Sequence, residues 1–381
     1  MNLFVKKKIF QSIICIASVS MFVVGCGKDK NNSYEQATYA AAFLLSQQDT
    51  TSTKTISTFA GSAGNSGSTD ATGTEALFNQ PDGIATDGTN LYVADSNNHT
   101  IRKIEITSGT VTTLAGSAGN SGSADGTGTA ARFNKPIGIA TDKTNLYVTD
   151  TNHTIRKIVI STGVVTTLAG TAGTTGSNDA TGTSATFNSP NGITIDSDNT
   201  NLYVSDYGNN TIRKVVISTG VVTTLAGSAG SSGSTDDTGT SARFSGPAGI
   251  TADSTQLYVA DSKNHTIRKI EISTGAVTTL AGSAGATGST DSSGTSARFN
   301  GPVGIVTDNT NLYVSDYSNN TIRQIVISSK TVTTLAGTAG ESGTTDGTGT
   351  AARFNGPAGI TIYNSIIYVS DSQNHTIRKI K

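Results

Sequence analysis

Four short apolar runs recur in a fixed order along most of the chain, and turn-forming residues separate them. One copy reads "FNKPIGIATD", "TNLYVTD", "TIRKIVI" and "VVTTLAG", with a Ser-Thr-Gly turn from Ser161 to Gly163 before the last run. Short runs rich in β-branched and aromatic residues, bounded by Gly, Pro, Asn and Asp, are typical of strands joined by tight turns. The pattern therefore predicts four strands in each copy.

The copies follow one another at a nearly constant distance, and this spacing indicates the architecture. The aspartates of the Tyr-Val-x-Asp motif are 55 or 56 residues apart. A regular period with four strands in each unit is typical of a β-propeller, whose blades pack on one another instead of forming separate cores. We therefore predict an all-β fold, a six-bladed β-propeller over residues 55–381. The motif aspartates are Asp95, Asp150, Asp206, Asp261, Asp316 and Asp371.

All six prolines of the chain occupy one position of the repeat. Proline lacks a backbone N–H donor, so it suits the start of a strand rather than its middle. A phenylalanine lies three residues before each proline, and we expect these rings to pack between blades. The pairs are Phe78 and Pro81, Phe133 and Pro136, Phe187 and Pro190, Phe244 and Pro247, Phe299 and Pro302, and Phe354 and Pro357.

The two ends of the repeat region complement each other. The sixth copy stops after "NHTIRKIK" and lacks the fourth run, whereas "TISTFAG", Thr55 to Gly61, precedes the first copy. Pairing this first strand with the last unit would remove two exposed sheet edges. We therefore predict that the N-terminal strand completes the last blade and closes the ring.

The repeated pattern P-x-G-I-x-x-D…N-L-Y-V-x-D…N-x-x-I-R-K-I resembles the NHL repeat family of β-propellers. The resemblance covers residues 55–381 and implies a propeller of NHL-type repeats, each of about 55 residues. Members of this family include lyases, sensor domains, RNA-binding modules and lipoproteins. The resemblance therefore implies the fold without fixing an activity.

The N-terminal segment has the layout of a bacterial lipoprotein signal. Lys6, Lys7 and Lys8 precede a short apolar run, and Val23-Val24-Gly25-Cys26 resembles a lipobox. We expect residues 1–25 to be a signal peptide and Cys26 to carry the lipid, with residues 26–54 as a polar tether. A transmembrane anchor is the alternative for the apolar run. A short docking helix is the alternative for part of the tether, from Tyr34 to Gln48.

Charge and anchoring together predict a location in the cell envelope. Removing three of the 26 Lys and Arg side chains leaves 23 against 27 acidic ones, a net charge of −4 with an acylated amino terminus. This negative net charge argues against nucleic acid as a partner. We therefore expect the protein to contact the membrane only through the lipid on Cys26. We expect the protein outside the cytoplasm, on the outer membrane, because Gly27 replaces an aspartate used for inner-membrane retention in some enteric bacteria.

The turn between the second and third runs carries the candidate binding residues. Histidine and asparagine interchange at its end, so this position needs a hydrogen-bonding side chain rather than an imidazole. Two copies add a tyrosine directly after the aspartate, and a pair of tyrosines could stack a sugar or a peptide. Ligation of zinc by the histidines is the alternative. The candidates are His99, His153, Tyr207, Asn210, His265, Tyr317, Asn320 and His375.

Two further charged positions repeat in every copy. Each Gly-rich connection carries an aspartate that could bind calcium, although one carboxylate is few for that ion. The alternative is that this aspartate accepts backbone N–H bonds in a tight turn. Each I-R-K arginine lies one strand from a motif aspartate, which predicts a salt bridge inside or between blades. The loop acids are Asp70, Asp125, Asp179, Asp236, Asp237, Asp291 and Asp346, and the arginines are Arg102, Arg156, Arg213, Arg268, Arg323 and Arg378.

The near-identity of the copies favours binding over catalysis, because an enzyme needs a few unlike groups at one place. We predict a monomeric, non-catalytic binding or scaffold module, without cofactor or metal, that engages a protein or a glycan through its loop face. The alternative is a metal-dependent lyase of the kind that the family resemblance implies, with the histidines as ligands or bases. A spacer without any saturable partner is a third possibility.

Overall fold

The computed structural model describes residues 54–381, which form six antiparallel sheets arranged as the blades of a propeller around a central channel. Each blade has four main strands, and three blades carry a two-residue fifth strand on the outer edge. The prediction of an all-β, six-bladed propeller is confirmed. No helix of these residues is long and apolar enough to cross a membrane. Cys26 and the predicted signal peptide lie outside the described residues.

We number the blades 1 to 6 in chain order, and the innermost and second strands of each lie nearest the channel. The six prolines begin the innermost strands, as predicted. The innermost strands are Pro81–Thr86, Pro136–Thr141, Pro190–Ile195, Pro247–Ala252, Pro302–Thr307 and Pro357–Tyr363. The second strands are Asn90–Asp95, Asn145–Asp150, Asn201–Asp206, Gln256–Asp261, Asn311–Asp316 and Ile366–Asp371.

The third and outermost strands complete each blade. The third strands are Thr100–Glu105, Thr154–Val159, Thr211–Val216, Thr266–Glu271, Thr321–Val326 and Thr376–Ile380. The outermost strands of blades 1 to 5 are Val111–Gly116, Val164–Ala169, Val222–Gly227, Val277–Gly282 and Thr331–Ala336. The two-residue strands are Gly126–Thr127, Ser292–Ser293 and Gly347–Thr348.

Short 3₁₀ turns occupy two places in the repeat. One precedes the phenylalanine of each blade, at Gly73–Glu75, Gly128–Ala130, Gly182–Ser184, Gly239–Ser241, Gly294–Ser296 and Gly349–Ala351. The other links the second and third strands in every blade except blade 2, at Ser96–Asn98, Tyr207–Asn209, Ser262–Asn264, Tyr317–Asn319 and Ser372–Asn374. We call the face that carries these second-to-third turns the loop face.

The first strand closes the ring, as predicted. Thr55–Ala60 pairs with the third strand of blade 6 and forms its outermost strand. The Thr55 N–H donates to the Lys381 carbonyl at 3.0 Å, and the Lys381 N–H donates back at 3.0 Å. This pairing removes the edges that blade 6 and the first strand would otherwise expose.

The core lies between neighbouring blades. Phe133 is fully buried and packs with Tyr92 and Ile101 of blade 1 and with Leu146 and Val148 of blade 2. Equivalent clusters fill the other five gaps. The phenylalanines therefore pack between blades, as expected.

The glycine of the Pro-x-Gly motif lets adjacent innermost strands approach closely. A Cβ placed on Gly83 would lie 2.2 Å from the Ile137 carbonyl oxygen of the next blade. The equivalent distance in the other blades is 2.0 to 2.3 Å, far inside van der Waals contact. Any larger residue at this position would push the blades apart at the narrowest part of the ring.

A buried ion pair holds the parts of each blade together. In blade 1, the Asp95 carboxylate accepts hydrogen bonds from the Asn79 N–H at 2.7 Å, the Asn98 side chain at 2.7 Å and Arg102 Nη1 at 2.8 Å. Arg102 Nη2 continues to Asp70 of the Gly-rich connection at 2.6 Å. Arg102 and Asp95 are both fully buried. This arrangement confirms the predicted salt bridge and locates it inside each blade.

The same arrangement recurs in all six blades. Each guanidinium carbon also lies 5.0 to 5.1 Å above the centre of the blade's phenylalanine ring. The further sets are Arg156 with Asp150 and Asp125, Arg213 with Asp206 and Asp179, Arg268 with Asp261 and Asp236, Arg323 with Asp316 and Asp291, and Arg378 with Asp371 and Asp346.

Deletion of residues 55–61 should lower the melting temperature by more than about 10 °C, because it exposes an unpaired strand and leaves blade 6 with three strands. Thermal unfolding followed by circular dichroism measures the change. Deletion of seven residues that precede the propeller, 32–38, is the length-matched control. Equal melting temperatures for the two deletions would contradict the role of the first strand in closure.

Replacing Arg213 by Met should cost about 3–5 kcal/mol, because it leaves the buried Asp206 carboxylate without its partner. Replacing Asp179 by Asn should cost about 1 kcal/mol, because this carboxylate is 45% exposed and water can substitute for its contacts. Urea unfolding of the two variants measures the difference. A cost for Arg213→Met no larger than that for Asp179→Asn would show that the buried pair does not hold the blade.

Candidate functional site

The interchanging histidines and asparagines share one backbone conformation. All six end the turn between the second and third strands with φ between 58° and 74°. This left-handed conformation is uncommon for residues other than glycine, and asparagine and histidine adopt it more readily than most. The turn of blade 2 is one residue shorter, yet His153 reaches the same conformation.

The side chains of these residues join each blade to the next. His99 Nδ1 accepts a hydrogen bond from the Lys135 N–H of blade 2 at 3.0 Å. The amide oxygen of Asn210 accepts the equivalent bond from the Gly246 N–H at 2.9 Å. The ring therefore contains six such bonds, the last from the Gln80 N–H to His375 Nδ1 at 3.1 Å. The others join Ser189 to His153, Gly301 to His265 and Gly356 to Asn320. The sequence prediction that this position needs a hydrogen-bonding side chain rather than an imidazole is confirmed.

This arrangement also bears on the hypothesis of metal ligation. The structure places each histidine on a different blade, with Nδ1 already engaged by a backbone N–H. Within residues 54–381, no three His, Cys, Asp or Glu side chains are grouped closely enough to hold a metal ion. Partial burial lowers the pKa of all four histidines, and the Lys135 charge lowers that of His99 further. A low pKa keeps Nδ1 available as an acceptor.

Six of the seven loop acids bind partners distant in sequence, and Asp237 accepts a bond from the adjacent Thr238 N–H at 2.7 Å. Asp70 accepts hydrogen bonds from Arg102 at 2.6 Å and from the Thr113 N–H of the outermost strand at 3.0 Å. The expectation of backbone bonds within its own tight turn is therefore wrong, because the second half of the Gly-rich connection folds back along the outermost strand. The Val111 N–H donates to the Ala71 carbonyl there at 2.8 Å. With Arg102 and Thr113 already bound to both its oxygens, Asp70 is a poor calcium ligand.

A cavity of about 270 Å³ opens at the loop-face end of the central channel, and we call it the channel mouth. Both candidate tyrosines line it, whereas the four histidines, Asn210 and Asn320 do not. The structure therefore separates the sequence candidates into blade-joining residues and cavity-lining residues. The lining consists of Gln80, Asp82, Ser96, Asn191, Tyr207, Ala248, Ser262, Val303, Tyr317, Ala358, Ser372 and Gln373.

Neighbouring side chains hold the two tyrosines in place. Tyr207 extends over Gly246 of blade 4, and the Lys263 ammonium lies 4.8 Å from the centre of its ring. Tyr317 extends over Gly356 of blade 6, and its hydroxyl accepts a hydrogen bond from Gln373 at 3.1 Å. A Cβ on either glycine would lie 3.0 Å from the tyrosine ring, so glycine makes room for each ring.

Sequence analysis missed Asp82, which also lines the channel mouth. It occupies the x position of Pro-x-Gly, where the other blades carry Ile137, Asn191, Ala248, Val303 and Ala358. Comparing this one position among the six copies would have found the charge. Burial by the surrounding protein atoms raises the pKa of Asp82 to about 7.

The channel continues below the mouth as a second cavity of about 220 Å³, formed by the innermost strands. Its wall includes Ile84, Ile139, Ile193 and Ile305, so it is mostly apolar beneath the ring of x positions. Asp82 lies at the junction, because it borders both cavities. A ligand in the mouth would therefore meet one carboxylate at its base and hydrocarbon beyond it.

Replacing all four histidines by asparagine should leave stability near neutral pH almost unchanged, because Asn210 and Asn320 already make the same interblade bond. The variant should be the more stable protein at about pH 5. The folded-state pKa of the histidines lies below the unfolded value of about 6.5, so their contribution is complete above that pH and is lost as the pH falls through the folded-state pKa.

Melting temperatures of both proteins between about pH 5 and 8 test this expectation. The aspartate network is common to the two proteins, so the difference between them isolates the histidines. Parallel pH profiles would show that protonation of Nδ1 does not weaken the ring.

Comparisons with known proteins agree with this geometry. A family model described as NHL repeat matches residues 78–104, 187–215 and 244–270. The chain is 30% identical over 325 residues to NHL repeat-containing protein 2 of Gallus gallus, covering 76% of this chain and 44% of that protein. It is 32% identical over 307 residues to the Arabidopsis thaliana protein SUPPRESSOR OF QUENCHING 1, chloroplastic, covering 76% of this chain and 29% of that protein. The chain thus spans less than half the length of these relatives.

Solved structures share the fold at low sequence identity. An auxiliary nutrient binding protein from Bacteroides thetaiotaomicron has a TM-score of 0.65 at 18% identity, covering 86% of this chain and 76% of that chain. Virginiamycin B lyase from Staphylococcus aureus has a TM-score of 0.51 at 15% identity, covering 86% of this chain and 99% of that chain. The repeat pattern, the six blades and the matches to NHL-repeat proteins lead to one conclusion: this chain belongs to the NHL-repeat family of β-propellers.

Proposed function

We propose that this protein is a non-catalytic binding propeller that captures its ligand, part of a protein or a glycan, at the channel mouth. We further propose that lipid on Cys26 holds it in the cell envelope, outside the cytoplasm and on the outer membrane. The binding role is inferred from the positions at which the six repeats differ. Tyr207, Tyr317 and Asp82 break the sixfold pattern, and all three line one cavity.

The chemistry of the mouth suits binding. Two aromatic rings supply flat apolar surface, and Asp82, Asn191 and Gln80 supply polar groups that can fix an orientation. The tyrosines are already positioned by Lys263 and Gln373, so a ligand meets a largely preformed wall. A preformed site loses less conformational entropy when it binds.

The alternative of a metal-dependent lyase draws little support from the histidines. Their Nδ1 atoms join the blades, and none of the four side chains lines the channel mouth. The likeness to virginiamycin B lyase is a likeness of fold. A binding protein of similar fold, named as an auxiliary nutrient binding protein, is at least as similar in structure.

Replacing Tyr207 and Tyr317 together by Ser should weaken ligand binding by about tenfold, because it removes two stacking surfaces. Serine is the residue at the same position in three other blades, as Ser96, Ser262 and Ser372, so folding should be retained. Glycan and peptide arrays probed with the full chain identify ligands, and calorimetry measures their affinities.

Tyr363→Ala is the matched control, because Tyr363 is a 36% exposed tyrosine at the end of the innermost strand of blade 6, on the opposite face. Its affinity should equal that of the unchanged protein. Equal affinity of the Tyr207→Ser, Tyr317→Ser variant for every ligand found would show that binding occurs elsewhere on the surface.

A further inference from the structure

We infer that the channel mouth recognises a protonated primary amine, with Asp82 as its counter-ion. The inference rests on the proposed function and adds to it the chemical class of the ligand. It starts from the carboxylate of Asp82, which has no partner among the described residues.

Asp82 lacks the compensation that the other inward-facing carboxylates have. Asp95 receives bonds from Arg102, Asn98 and the Asn79 N–H. Throughout the described part of the chain, by contrast, no side chain or backbone N–H donates a hydrogen bond to the Asp82 carboxylate, and no cation forms an ion pair with it. Asp82 is only partly buried and borders the open mouth, so its carboxylate is accessible to a ligand.

The fold itself does not need this charge. The x position carries aliphatic residues in four other blades and Asn191 in blade 3, and all six blades close the ring in the same way. The backbone at Asp82 is equivalent to theirs, since a Cβ on Gly359 would approach its carbonyl oxygen at 2.2 Å. A charge that the fold does not need, placed at the edge of a cavity, indicates a role in binding.

The surroundings of Asp82 indicate a cation as the ligand. Asp82 is the only charged residue that lines the mouth, so an anion would be repelled, and a neutral sugar would leave its charge uncompensated. A hard metal ion needs several oxygen ligands besides one carboxylate. Besides Asp82, the mouth is lined by Asn191 and by serines such as Ser96, whose side-chain oxygens are further acceptors for an ammonium group.

The tyrosines fit the same class of ligand. Aromatic ring faces attract cations, and because Lys263 already occupies one face of Tyr207, the Tyr317 ring is the one left for a ligand ammonium. The mouth of about 270 Å³ admits a small amine or one sugar ring. The amine could belong to an amino sugar or to an alkyl amine, since both present the same ammonium group to Asp82.

Calorimetric titration of the full chain with four probes tests the inference and distinguishes the two sources. Glucosamine is compared with glucose, and putrescine with 1,4-butanediol, so that each pair differs in charge at nearly constant shape. At least one amine should bind about 30-fold more tightly than its neutral counterpart, and Asp82→Asn should abolish this preference. The variant should fold, because Asn191 occupies the same position in blade 3.

The melting temperature of ligand-free Asp82→Asn provides a second readout. The pKa of Asp82 rises from its ordinary 3.8 to about 7 in the folded protein. Below the pKa of Asp82 in the unfolded chain, 3.8, the side chain is protonated in both states and costs no stability. As the pH rises through about 7, Asp82 ionises in the folded protein as well, and this free energy of folding is lost. The variant should gain melting temperature over the unchanged protein between about pH 4 and 8.

Each other outcome overturns the inference in a recognisable way. Equal affinity for glucose and glucosamine, lost together in the Tyr207→Ser, Tyr317→Ser variant, would remove the amine assignment and leave the channel mouth as a binding site. Amine binding that Asp82→Asn does not change would remove Asp82 as the counter-ion. Absence of binding by either amine at about 10 mM would overturn the assignment, while the tyrosine variants would still decide the proposed function separately.

Discussion

The buried pair of aspartate and arginine is the interaction on which each blade depends. An arginine without access to water needs acceptors for its N–H groups, and the two terminal nitrogens of Arg102 find them in Asp95, in Asp70 and in the Leu77 and Thr69 carbonyls. These acceptors lie on the second strand, the Gly-rich connection and the segment before the innermost strand. One guanidinium thus sets the relative positions of elements up to 33 residues apart in sequence. Loss of Asp95 would leave the buried arginine without its fully buried counter-ion.

This constraint divides the molecule into two sets of positions. Residues that meet the arginine, the phenylalanine or the neighbouring blade repeat almost without change. The x position of Pro-x-Gly and the residue after the motif aspartate lie around the channel instead, outside the contacts of the ion pair. Ile137, Asn191 and Asp82 can therefore occupy equivalent places, and so can Ser96 and Tyr207. The regular part of the repeat builds the ring, and the variable part determines what the ring can bind.

The fold was predictable from the sequence because its signals are periodic and local. The spacing of the motif aspartates indicated six blades, and the missing fourth run indicated the closing strand. The exchange of His99 for Asn210 indicated a hydrogen-bonding side chain rather than an imidazole. The partners of Asp70 were not predictable in this way, since Thr113 lies 43 residues away and becomes adjacent only when the connection folds back along the outer edge. Asp82 was not predicted as a binding residue because its position looked like the start of a strand. The x positions of the six Pro-x-Gly motifs come together around one axis only in the folded ring.

The place where the chain joins the ring determines how the molecule would bear load. Thr55 bonds to Lys381 at the end of blade 6 that lies away from the Ser372–Asn374 turn, so the first strand begins on the side of the propeller remote from the channel mouth. A ligand pulled at the mouth and an anchor at Cys26 would stretch the protein along Thr55–Ala60. Hydrogen bonds between antiparallel strands run across the strand direction, so this force would shear the whole ladder at once instead of peeling it bond by bond. The strand that closes the ring would then also be its mechanical clamp.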